Sequence, residues 1–399
     1  MTLRLAVISP FLDRRHGTER ALTELLERLV RNHAYEVHLY AQNVEGIAVS
    51  CSQESSAESP SSLVWHRVPK IPGPHLLQFL FWITANRLCR LRDRLFRGIR
   101  FDAVFSPGIN ALDADVIMVH AVFHRLTELQ DAHPQDGLRG LHRRLYYRFL
   151  CFLETLIYHQ NDLRLAAVSR HTATQLKHYF GRNDVHIVPN GVDLSHFSLG
   201  NRIALRSAAR QKLRYSPDEV VLLLVGNDLR NKGLAVLLES LQLCRNIHLR
   251  LCVVGRETSA DIAKSIDSLQ VADRVIFAGE TSEVLTFYAA ADIYVAPSLE
   301  DSFNLPALEA MACGLPVVVS RNAGISDYLN DGVDSLLLRD PQDPHELVCV
   351  LKRLLDDDAL VATLSANALT TAATLSWDRH AESVHRLLTE DLSSTRTCA

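Results

Sequence analysis

The sequence predicts an α/β protein made of two doubly wound domains, each with a parallel sheet covered by helices. Short runs rich in Val, Ile and Leu alternate with stretches of helical periodicity, as in successive β-α units. This pattern stops near residue 190 and starts again at a wholly apolar run, VVLLLV, over residues 220–225. The length of 399 residues also exceeds one ordinary core and suits two domains of about 200 residues each.

The first domain is predicted over residues 1–190. It opens with a β-α-β unit, in which the strand LRLAVIS is followed by a loop that ends at Gly17, the helix ALTELLERLVRN and the strand YEVHLYA. The alternation indicates parallel strands with right-handed crossovers. The polar stretch 50–62 is predicted to be a loop. Further strands are predicted at 103–107, 114–120, 163–169 and 184–191.

The second domain is predicted over residues 191–375. Its strands are VVLLLVGND, LRLCVVG, RVIFAGE and ADIYVAPS, and the helix KGLAVLLESLQLC follows the first of them. Near-continuous Val, Ile and Leu in these strands indicates a sheet that helices cover on both faces. A last helical pattern, at about 376–394, has apolar positions at helical spacing that would let it pack on either domain.

The composition is that of a globular protein and favours the cytoplasm. No apolar run reaches the roughly 18 residues of a membrane-spanning helix, and the start, MTLRLAVISPF, lacks the features of a signal peptide. Eight cysteines without a CxxC pair indicate reduced thiols rather than disulfides or a zinc site. His and Glu do not cluster at zinc-site spacings, so no metal is expected.

The charge is unevenly distributed along the chain. Residues 1–195 contain 23 Lys and Arg against 19 Asp and Glu, a net charge of +4, whereas the remainder carries −8. Basic and aromatic residues concentrate at 87–98 and 141–159. These stretches fit peripheral contact with an anionic membrane, although ordinary exposed helices explain them nearly as well. No RNA-binding signature accompanies them, so no nucleic acid partner is expected.

The stretch SLEDSFNLPALEAMACGLPVVVS, residues 298–320, predicts a ligand site. A strand leads into it, and helix formers followed by Gly314 lead out. Asp301 is therefore predicted in a loop and Glu309 within a helix. Open α/β sheets bind ligands at the carboxyl ends of their strands, which is where this loop would lie.

These motifs, taken together, resemble those of the family 4 retaining glycosyltransferases of GT-B fold. HGTER, VSRHT, PNGVD, VGNDLRNKG, VVG and the block at 297–318 stand in that family's order and spacing. The resemblance implies two Rossmann-like domains that face each other across a cleft, the first binding the acceptor and the second the nucleotide-sugar.

The resemblance also implies an activity. The chain would be a retaining glycosyltransferase that moves a hexose from a nucleotide-diphosphate sugar to a glycan or lipid-linked acceptor, in cell-surface polysaccharide or lipopolysaccharide synthesis. The donor would be the only small molecule required, without a metal or other cofactor. The enzyme would work in the cytoplasm, including at the inner face of the membrane.

Roles in donor binding carry over by position within the 297–318 block. Glu309 corresponds to the acid that binds the ribose diol. Asp301 corresponds to the acid that meets the donor sugar, although the family has Glu there, and Glu300 stands beside it. The alternative is that these acids only flank a helix N-terminus. The loop Ser302–Leu305 would present the amides of Phe303, Asn304 and Leu305 to the sugar and diphosphate.

Further donor-binding residues carry over from the other motifs. Lys232 keeps the position of a lysine that neutralises the departing diphosphate, six residues after Gly226. Asn227 occupies the position of a family arginine, and Arg230 is the candidate to replace that charge, with an ordinary solvated loop residue as the alternative. Gly17 corresponds to a glycine whose backbone approaches the diphosphate or acceptor.

His120 is predicted at the end of a strand, where the family often places a histidine against the donor sugar. Together with Lys232 and Asp301 it completes the set of predicted catalytic residues. His124, four residues on, is more often structural at such a place.

Two other classes of function stay open at this stage. A different enzyme of the same architecture, such as an epimerase or a phosphorylase, is one; a non-catalytic binding or scaffold subunit is the other. Asp301 in place of Glu and Asn227 in place of Arg favour the scaffold, whereas Glu309, Lys232 and Gly17 favour catalysis. The sequence does not identify the nucleotide, the sugar, the acceptor, the linkage or the oligomeric state.

Overall fold

The computed structural model describes residues 3–14, 16–51, 63–132, 137–244, 248–256 and 260–394. The chain divides into two compact units. Unit 1 comprises Met1–Pro189 and the chain from Asp378 onward, and unit 2 comprises Asn190–Trp377. Each unit contains one large parallel sheet, which confirms the predicted fold class. Of the predicted polar loop 50–62, residues 52–62 lie outside the described residues, and Ser50–Cys51 form a short strand.

Unit 1 is built on an eight-stranded sheet. Its strands and a separate short pair are β1 (Arg4–Ile8), β2 (Phe11–Leu12), β3 (Glu36–Ala41), β4 (Asn43–Val44), β5 (Ser50–Cys51), β6 (Leu63–Arg67), β7 (Ala103–Pro107), β8 (Val116–Val119), β9 (Arg164–Ala167) and β10 (His186–Ile187). The order in the sheet is β10-β9-β8-β7-β1-β3-β6-β5, and every pairing is parallel. Strands β2 and β4 pair outside it.

The helices of unit 1 cover this sheet. They are α1 (Gly17–His33), α2 (His75–Arg97), α3 (Phe123–Ala132), α4 (Gly137–Tyr158) and α5 (Arg170–Phe180). Helix α1 buries the apolar face that its periodicity predicts, including Leu22, Leu25 and Leu29. The hydroxyl of Ser169, in the VSRHT motif, accepts a hydrogen bond from the Thr172 amide (3.1 Å) and so caps α5.

Unit 2 has a six-stranded sheet with the dinucleotide-fold order. Its elements are α6 (Leu199–Leu213), β11 (Val220–Val225), α7 (Leu234–Leu243), β12 (Leu249–Val254), α8 (Ala260–Leu269), β13 (Val275–Gly279), α9 (Val284–Ala290), β14 (Ile293–Ala296), α10 (Leu305–Ala312), β15 (Val317–Ser320), β16 (Leu336–Leu338), α11 (Pro344–Asp356) and α12 (Asp358–Thr374). The strands run in the order β13-β12-β11-β14-β15-β16, all parallel.

This strand order creates a switch point between β11 and β14. The chain builds outward from β11 through β12 to β13 and then returns to place β14 on the other side of β11. The loops after β11 and β14 therefore leave the sheet at the same edge and diverge, which opens a crevice at the carboxyl ends of the strands. These two loops contain Gly226–Gly233 and Pro297–Asn304, the segments in which most predicted site residues lie.

The last helix, α13 (Trp377–Ser394), belongs to unit 1 from Asp378 onward. Arg28 donates to Asp378 (2.8 Å), the Tyr35 hydroxyl meets the His385 ring (3.0 Å), and Arg164 donates to the Leu387 carbonyl (2.5 Å). The chain therefore returns to unit 1 at its last helix, because α13 follows unit 2 in sequence but packs on unit 1. Among the described residues, no helix has both the length and the apolar character that crossing a membrane requires.

Gly191 lies where two distant segments of unit 2 run side by side. The Val192 amide donates to the Leu375 carbonyl (3.0 Å), and Val192 forms a parallel bridge with Ser376. A Cβ atom added at Gly191 would lie 2.2 Å from the Trp377 nitrogen and 2.3 Å from the Ser376 carbonyl carbon. Only glycine permits this approach of backbone to backbone.

We therefore expect Gly191→Ala to lower the free energy of unfolding by about 2–4 kcal/mol, because the two segments must separate to admit a methyl group. Gly200→Ala is the matched control, since a Cβ atom there meets nothing within 4 Å and the residue lies within α6. The control should be neutral or slightly stabilising. Urea unfolding of both variants measures the effect, and equal midpoints would contradict the steric argument.

Candidate active site

An ion pair joins the two loops at the switch point of unit 2. The Lys232 ammonium donates to Asp301 Oδ2, and the two side chains are only 14% and 15% exposed. Lys232 reaches this position because its stem crosses Gly226, where a Cβ atom would lie 2.9 Å from Lys232 Cε and 3.0 Å from Cγ. Two residues predicted separately to bind the donor are therefore in direct contact.

Asn231 ties the same loops together next to the ion pair. Its side-chain Nδ2 donates to the Glu300 carbonyl (2.6 Å), and its own carbonyl accepts from the Leu299 amide (2.8 Å). Gly233 follows with φ of +81°, and a Cβ atom there would lie 2.0 Å from the Pro297 carbonyl oxygen. The Glu300 side chain itself is buried. These contacts fix the spacing between Lys232 and the 297–304 loop without involving a charged side chain.

The loop after β14 turns sharply into α10. Asn304 adopts φ of +74°, and its Oδ1 accepts hydrogen bonds from the Tyr294 hydroxyl (3.0 Å) and the Ala307 amide (3.3 Å), which caps the helix. Helix α10 begins at Leu305, so Leu305 is the first helical residue and does not precede the helix as predicted. The buried hydroxyl of Tyr294 thus selects the conformation of the cap.

The three amides predicted to face the donor differ in their partners. The Phe303 amide donates to Asp301 Oδ1 (3.2 Å), so it is already engaged within the loop, and the Phe303 side chain is buried. The amides of Asn304 and Leu305 have no acceptor among the described residues. Free amides at a helix N-terminus attract anions. Ser302, between Asp301 and Phe303, is partly exposed.

Glu309 lies within α10, as predicted, but it is only 3% exposed. The Tyr288 hydroxyl, from α9, donates to Glu309 Oε2 (2.8 Å) and also lies 3.0 Å from the Pro306 carbonyl. Because a buried carboxylate needs hydrogen-bond donors, Tyr288 stabilises Glu309 at this depth. Nothing in the sequence marks Tyr288 as a partner, since it is 21 residues away.

Asn227 makes a structural contact at the place where the family has a cation. Its Oδ1 accepts from the Arg256 amide (3.3 Å), which joins the ends of β11 and β12. The Arg256 side chain forms an exposed ion pair with Glu280 (2.9 Å). Arg230 is also exposed and forms neither an ion pair nor a side-chain hydrogen bond with any described residue, so its guanidinium is available to a ligand.

The two predicted residues of unit 1 lie at the carboxyl edge of its sheet. Gly17 is the first residue of α1, and His120 follows β8 directly. Burial is the main cause that lowers the pKa of His120 to about 3, and the neighbouring His380 of α13 lowers it further. The imidazole is therefore neutral at pH 7. His380 in turn contacts the Pro189 carbonyl (2.8 Å). The role of α13 beside His120 is a feature that the sequence did not indicate.

His124 has a structural role, as its place suggested. Glu154, fully buried in α4, accepts from the amides of Phe123 (2.7 Å) and His124 (3.1 Å) and from the His124 ring (2.8 Å), so it caps α3. Within the described ranges, His124, Cys151 and Glu154 are the only group close enough to hold a metal ion, with ligand atoms within 4.8 Å. Because both Glu154 oxygens already accept hydrogen bonds, capping explains this cluster.

Comparison with known proteins identifies the family. The chain matches a family model described as Glycosyltransferase Family 4 over residues 15–196 and one described as Glycosyl transferases group 1 over residues 219–357. The chain belongs to the family 4 glycosyltransferases of GT-B fold. The resemblance of its motifs is thereby confirmed; the first match covers most of unit 1 and runs a few residues into unit 2, and the second lies within unit 2.

The curated relatives of this family 4 protein include several named D-inositol 3-phosphate glycosyltransferase. That of Thermobifida fusca (strain YX) is 33% identical over 231 residues, which cover 54% of this chain and 52% of the relative. That of Arthrobacter sp. (strain FB24) is 29% identical over 350 residues, covering 82% and 80%. The chain spans about half the length of the first curated relatives it matches.

Solved structures share the fold of this family 4 protein. WaaG, described as a glycosyltransferase involved in lipopolysaccharide biosynthesis, has a TM-score of 0.76 at 20% identity, covering 96% of this chain and 99% of WaaG. Anabaena HepE, solved in complex with UDP and glucose, has a TM-score of 0.68 at 18% identity, covering 98% and 100%. At such identities these likenesses establish the GT-B fold of the chain.

A double-mutant cycle on Lys232→Ala and Asp301→Ala measures the strength of this ion pair. We expect a coupling energy of about 1–3 kcal/mol, because both side chains are largely removed from water. The control is the cycle on Arg256→Ala and Glu280→Ala, whose side chains are 62% and 52% exposed; its coupling should stay below about 1 kcal/mol. Equal couplings in chemical denaturation would show that Lys232 and Asp301 are separate in solution.

The stability of unit 1 should depend on pH through His380. Burial lowers the pKa of His380 to about 4, from 6.5 in the unfolded chain. Below pH 6.5 the unfolded chain binds a proton that the folded chain excludes, so the free energy of unfolding falls as the pH falls from about 6.5 to about 4.

We expect the variant His380→Gln to lose less stability across this window, by up to about 1.4 kcal/mol per pH unit. His66, whose pKa burial likewise lowers to about 4, contributes equally to both proteins, whereas His120 loses in the variant the effect of His380 on its pKa, so the difference between the two proteins belongs to the pair His380 and His120. Urea unfolding at successive pH values makes the comparison. Parallel profiles would mean that His380 titrates alike in the folded and unfolded chains.

Proposed function

We propose that this family 4 protein is a retaining glycosyltransferase that transfers a hexose from a nucleotide-diphosphate sugar. The observation that carries the proposal is the convergence of Lys232, Asp301 and the free amides at the start of α10 on the switch point of unit 2. A diphosphate needs cationic and amide donors, and a sugar needs carboxylate acceptors. The crevice provides both kinds of group.

Lys232 is the residue that stabilises the departing diphosphate. Its ammonium is a point charge held by Asp301, so it needs little reorganisation as negative charge develops on the leaving group. The amides of Asn304 and Leu305 add partial positive charge from α10. Arg230, exposed and without a partner among the described residues, supplies the second cation that Asn227 cannot.

Asp301 and Glu309 bind the two ends of the donor. Asp301 has one oxygen on Lys232 and the other on the Phe303 amide, and these contacts aim the carboxylate while leaving lone pairs for sugar hydroxyls. Glu309 accepts the ribose diol. Because Glu309 is buried and accepts a hydrogen bond from Tyr288, few water molecules have to leave when a diol binds this carboxylate.

The chemistry requires no metal and no side-chain nucleophile. The bond between the anomeric carbon and the diphosphate oxygen breaks, and the acceptor hydroxyl attacks on the same face while its proton passes to the leaving phosphate oxygen. Neutral His120 orients sugar hydroxyls rather than acting as a base, which agrees with its low pKa. Gly17 lets the backbone at the start of α1 approach the acceptor or diphosphate.

We assign donor binding to unit 2 and acceptor binding to unit 1. The acceptor is a glycan or lipid-linked molecule of cell-surface polysaccharide or lipopolysaccharide synthesis, and the reaction takes place in the cytoplasm, at the inner face of the membrane. The neighbours that support this assignment are WaaG, involved in lipopolysaccharide biosynthesis, and HepE with UDP-glucose bound.

A panel of UDP-, GDP- and ADP-sugars tests the proposal directly. Release of nucleoside diphosphate or transfer of labelled sugar with one donor class is expected. A non-catalytic scaffold subunit would bind a nucleotide without either reaction, and an epimerase would convert the sugar without transferring it. The presence of Glu309, Lys232 and Gly17 at the family's positions favours catalysis over the scaffold alternative.

Two substitutions separate binding from turnover. Lys232→Ala should lower kcat about 100-fold while changing nucleotide affinity less, because the lysine matters most as the diphosphate departs. Glu309→Ala should weaken the binding of a nucleoside diphosphate about 10- to 100-fold, because it removes a charged acceptor of the ribose hydroxyls. Isothermal titration calorimetry and initial rates measure the two effects.

Tyr288→Phe is the control for Glu309, because it removes the internal hydrogen bond and keeps the carboxylate. Nucleotide affinity close to that of the parent protein is expected. If Tyr288→Phe weakens binding as much as Glu309→Ala does, Glu309 has only a structural role. Unchanged turnover in Lys232→Ala would remove Lys232 from the mechanism.

A further inference from the structure

Exposed large apolar side chains concentrate on two neighbouring helices of unit 1. Most of the exposed Leu, Ile, Phe and Val residues of the described chain lie on α2 and α4, and the rest are scattered singly. The two helices pack against each other through aromatic rings, with Phe79 of α2 meeting Tyr146 (6.2 Å) and Phe149 (6.5 Å) of α4. Exposed apolar residues gathered in this way indicate an interaction surface.

The exposed residues of α2 follow helical spacing on the side away from the sheet. Trp82, Ile83, Asn86, Arg90 and Asp93 are buried, and they mark the side that faces the core. The opposite side contains residues three or four positions apart, which lie along one face: Leu77, Leu80, Thr84, Leu88, Leu91 and Leu95. Helix α2 thus has an apolar exposed side in addition to its buried side, and among the described residues only the buried side is covered by the rest of unit 1.

Helix α4 repeats the arrangement. Leu150, Leu153 and Ile157 are buried in the core of unit 1. The exposed line consists of Leu141, Leu145, Arg148, Phe152 and Leu156, again at spacings of three or four. We name the exposed lines of α2 and α4 together the leucine face.

The exposed charges on α2 and α4 themselves have one sign. Helices α2 and α4 contain a single acidic residue each, Asp93 and Glu154, and both are fully buried. The exposed charges on these helices are arginines only: Arg87, Arg92, Arg94, Arg97, Arg143 and Arg148. A partner that covers the leucine face must therefore be apolar in its interior and negative at its surface.

We propose that the leucine face docks this protein on an anionic phospholipid surface. The leucines insert between headgroups, and the arginines that flank them, such as Arg94 and Arg148, contact lipid phosphates. A second copy of the chain fits less well, because pairing two leucine faces would bring like-charged arginines together without an acid to balance them. This inference does not rest on the proposed transfer reaction, since membrane contact can be measured without donor or acceptor.

The test is flotation of the full chain with vesicles of two compositions. Binding is expected to vesicles of phosphatidylcholine mixed with phosphatidylglycerol and should weaken as salt rises, whereas vesicles of phosphatidylcholine alone should bind much less. Arg94→Gln with Arg148→Gln should weaken binding about 25-fold, from about fivefold for each arginine removed near such a surface. Neither arginine forms an ion pair with a described residue, so the fold should be unaffected.

Leu88→Glu tests the apolar contribution and should weaken binding at least on the order of tenfold, because a charge replaces an inserted side chain. Its control is Ile203→Glu in α6, since Leu88 is 64% and Ile203 65% exposed; the control should bind as the parent does. Circular dichroism verifies that both variants fold.

Three results would overturn the proposal. Equal binding to neutral and anionic vesicles would remove the role of the arginines. Absence of vesicle binding by the parent protein would remove the membrane as the partner. The parent protein could self-associate in sedimentation, and Leu88→Glu could abolish this self-association without changing flotation. That result would assign the leucine face to a second copy of the chain. Failure of the donor panel with intact flotation would affect the proposed enzyme activity alone.

Discussion

The contact between Lys232 and Asp301 is the interaction on which the arrangement of unit 2 depends. It joins the loops after β11 and β14, which the strand order separates in sequence by the whole of β12 and β13. In an open parallel sheet these loops diverge, and a crevice results. A largely buried ammonium beside a carboxylate keeps the crevice at a fixed width, because separating the charges would leave each one desolvated and unpaired.

Glycine at three positions makes that contact possible. Gly226 leaves room for the stem of Lys232, Gly233 lets α7 start against the carbonyl of Pro297, and Gly255, with φ of +150°, lies so close to Gly226 that a Cβ atom would be 1.8 Å from its carbonyl oxygen. Side chains at these places would push the strand ends apart. The backbone can therefore approach a ligand from three neighbouring strand ends, and the polar side chains above it do not have to move.

The two units distribute charge and burial differently. Unit 2 places Lys232 and Asp301 at one sheet edge, and Tyr288 and Tyr294 provide hydroxyl donors from the core to Glu309 and Asn304. Unit 1 instead buries histidines and leaves leucines and arginines exposed on α2 and α4. A donor that is small and anionic suits the first environment. An extended negative surface suits the second, because many weak contacts spread over two helices bind an area rather than a molecule.

The sequence by itself determined the α/β class, most strands of both sheets, the helices α1, α7 and α13, and the placement of Asp301 in a loop and Glu309 in a helix. Apolar periodicity and capping residues act within a few positions of the chain, so such features can be predicted from it. The edge strand β10 was predicted to be longer than it is, and the edge strand β16 was not predicted. Pairing with a neighbouring strand, rather than composition, defines such short edge strands.

Only the tertiary structure decided which distant groups meet. Four contacts join residues that are far apart in sequence. They are the ion pair between Lys232 and Asp301, the hydrogen bond from Tyr288 to Glu309, the hydrogen bond from the Arg256 amide to Asn227, and the approach of α13 to His120 in unit 1. The physical reason is that hydrogen bonds and ion pairs depend on distances of about 3 Å, which the chain reaches only after the sheet order is set.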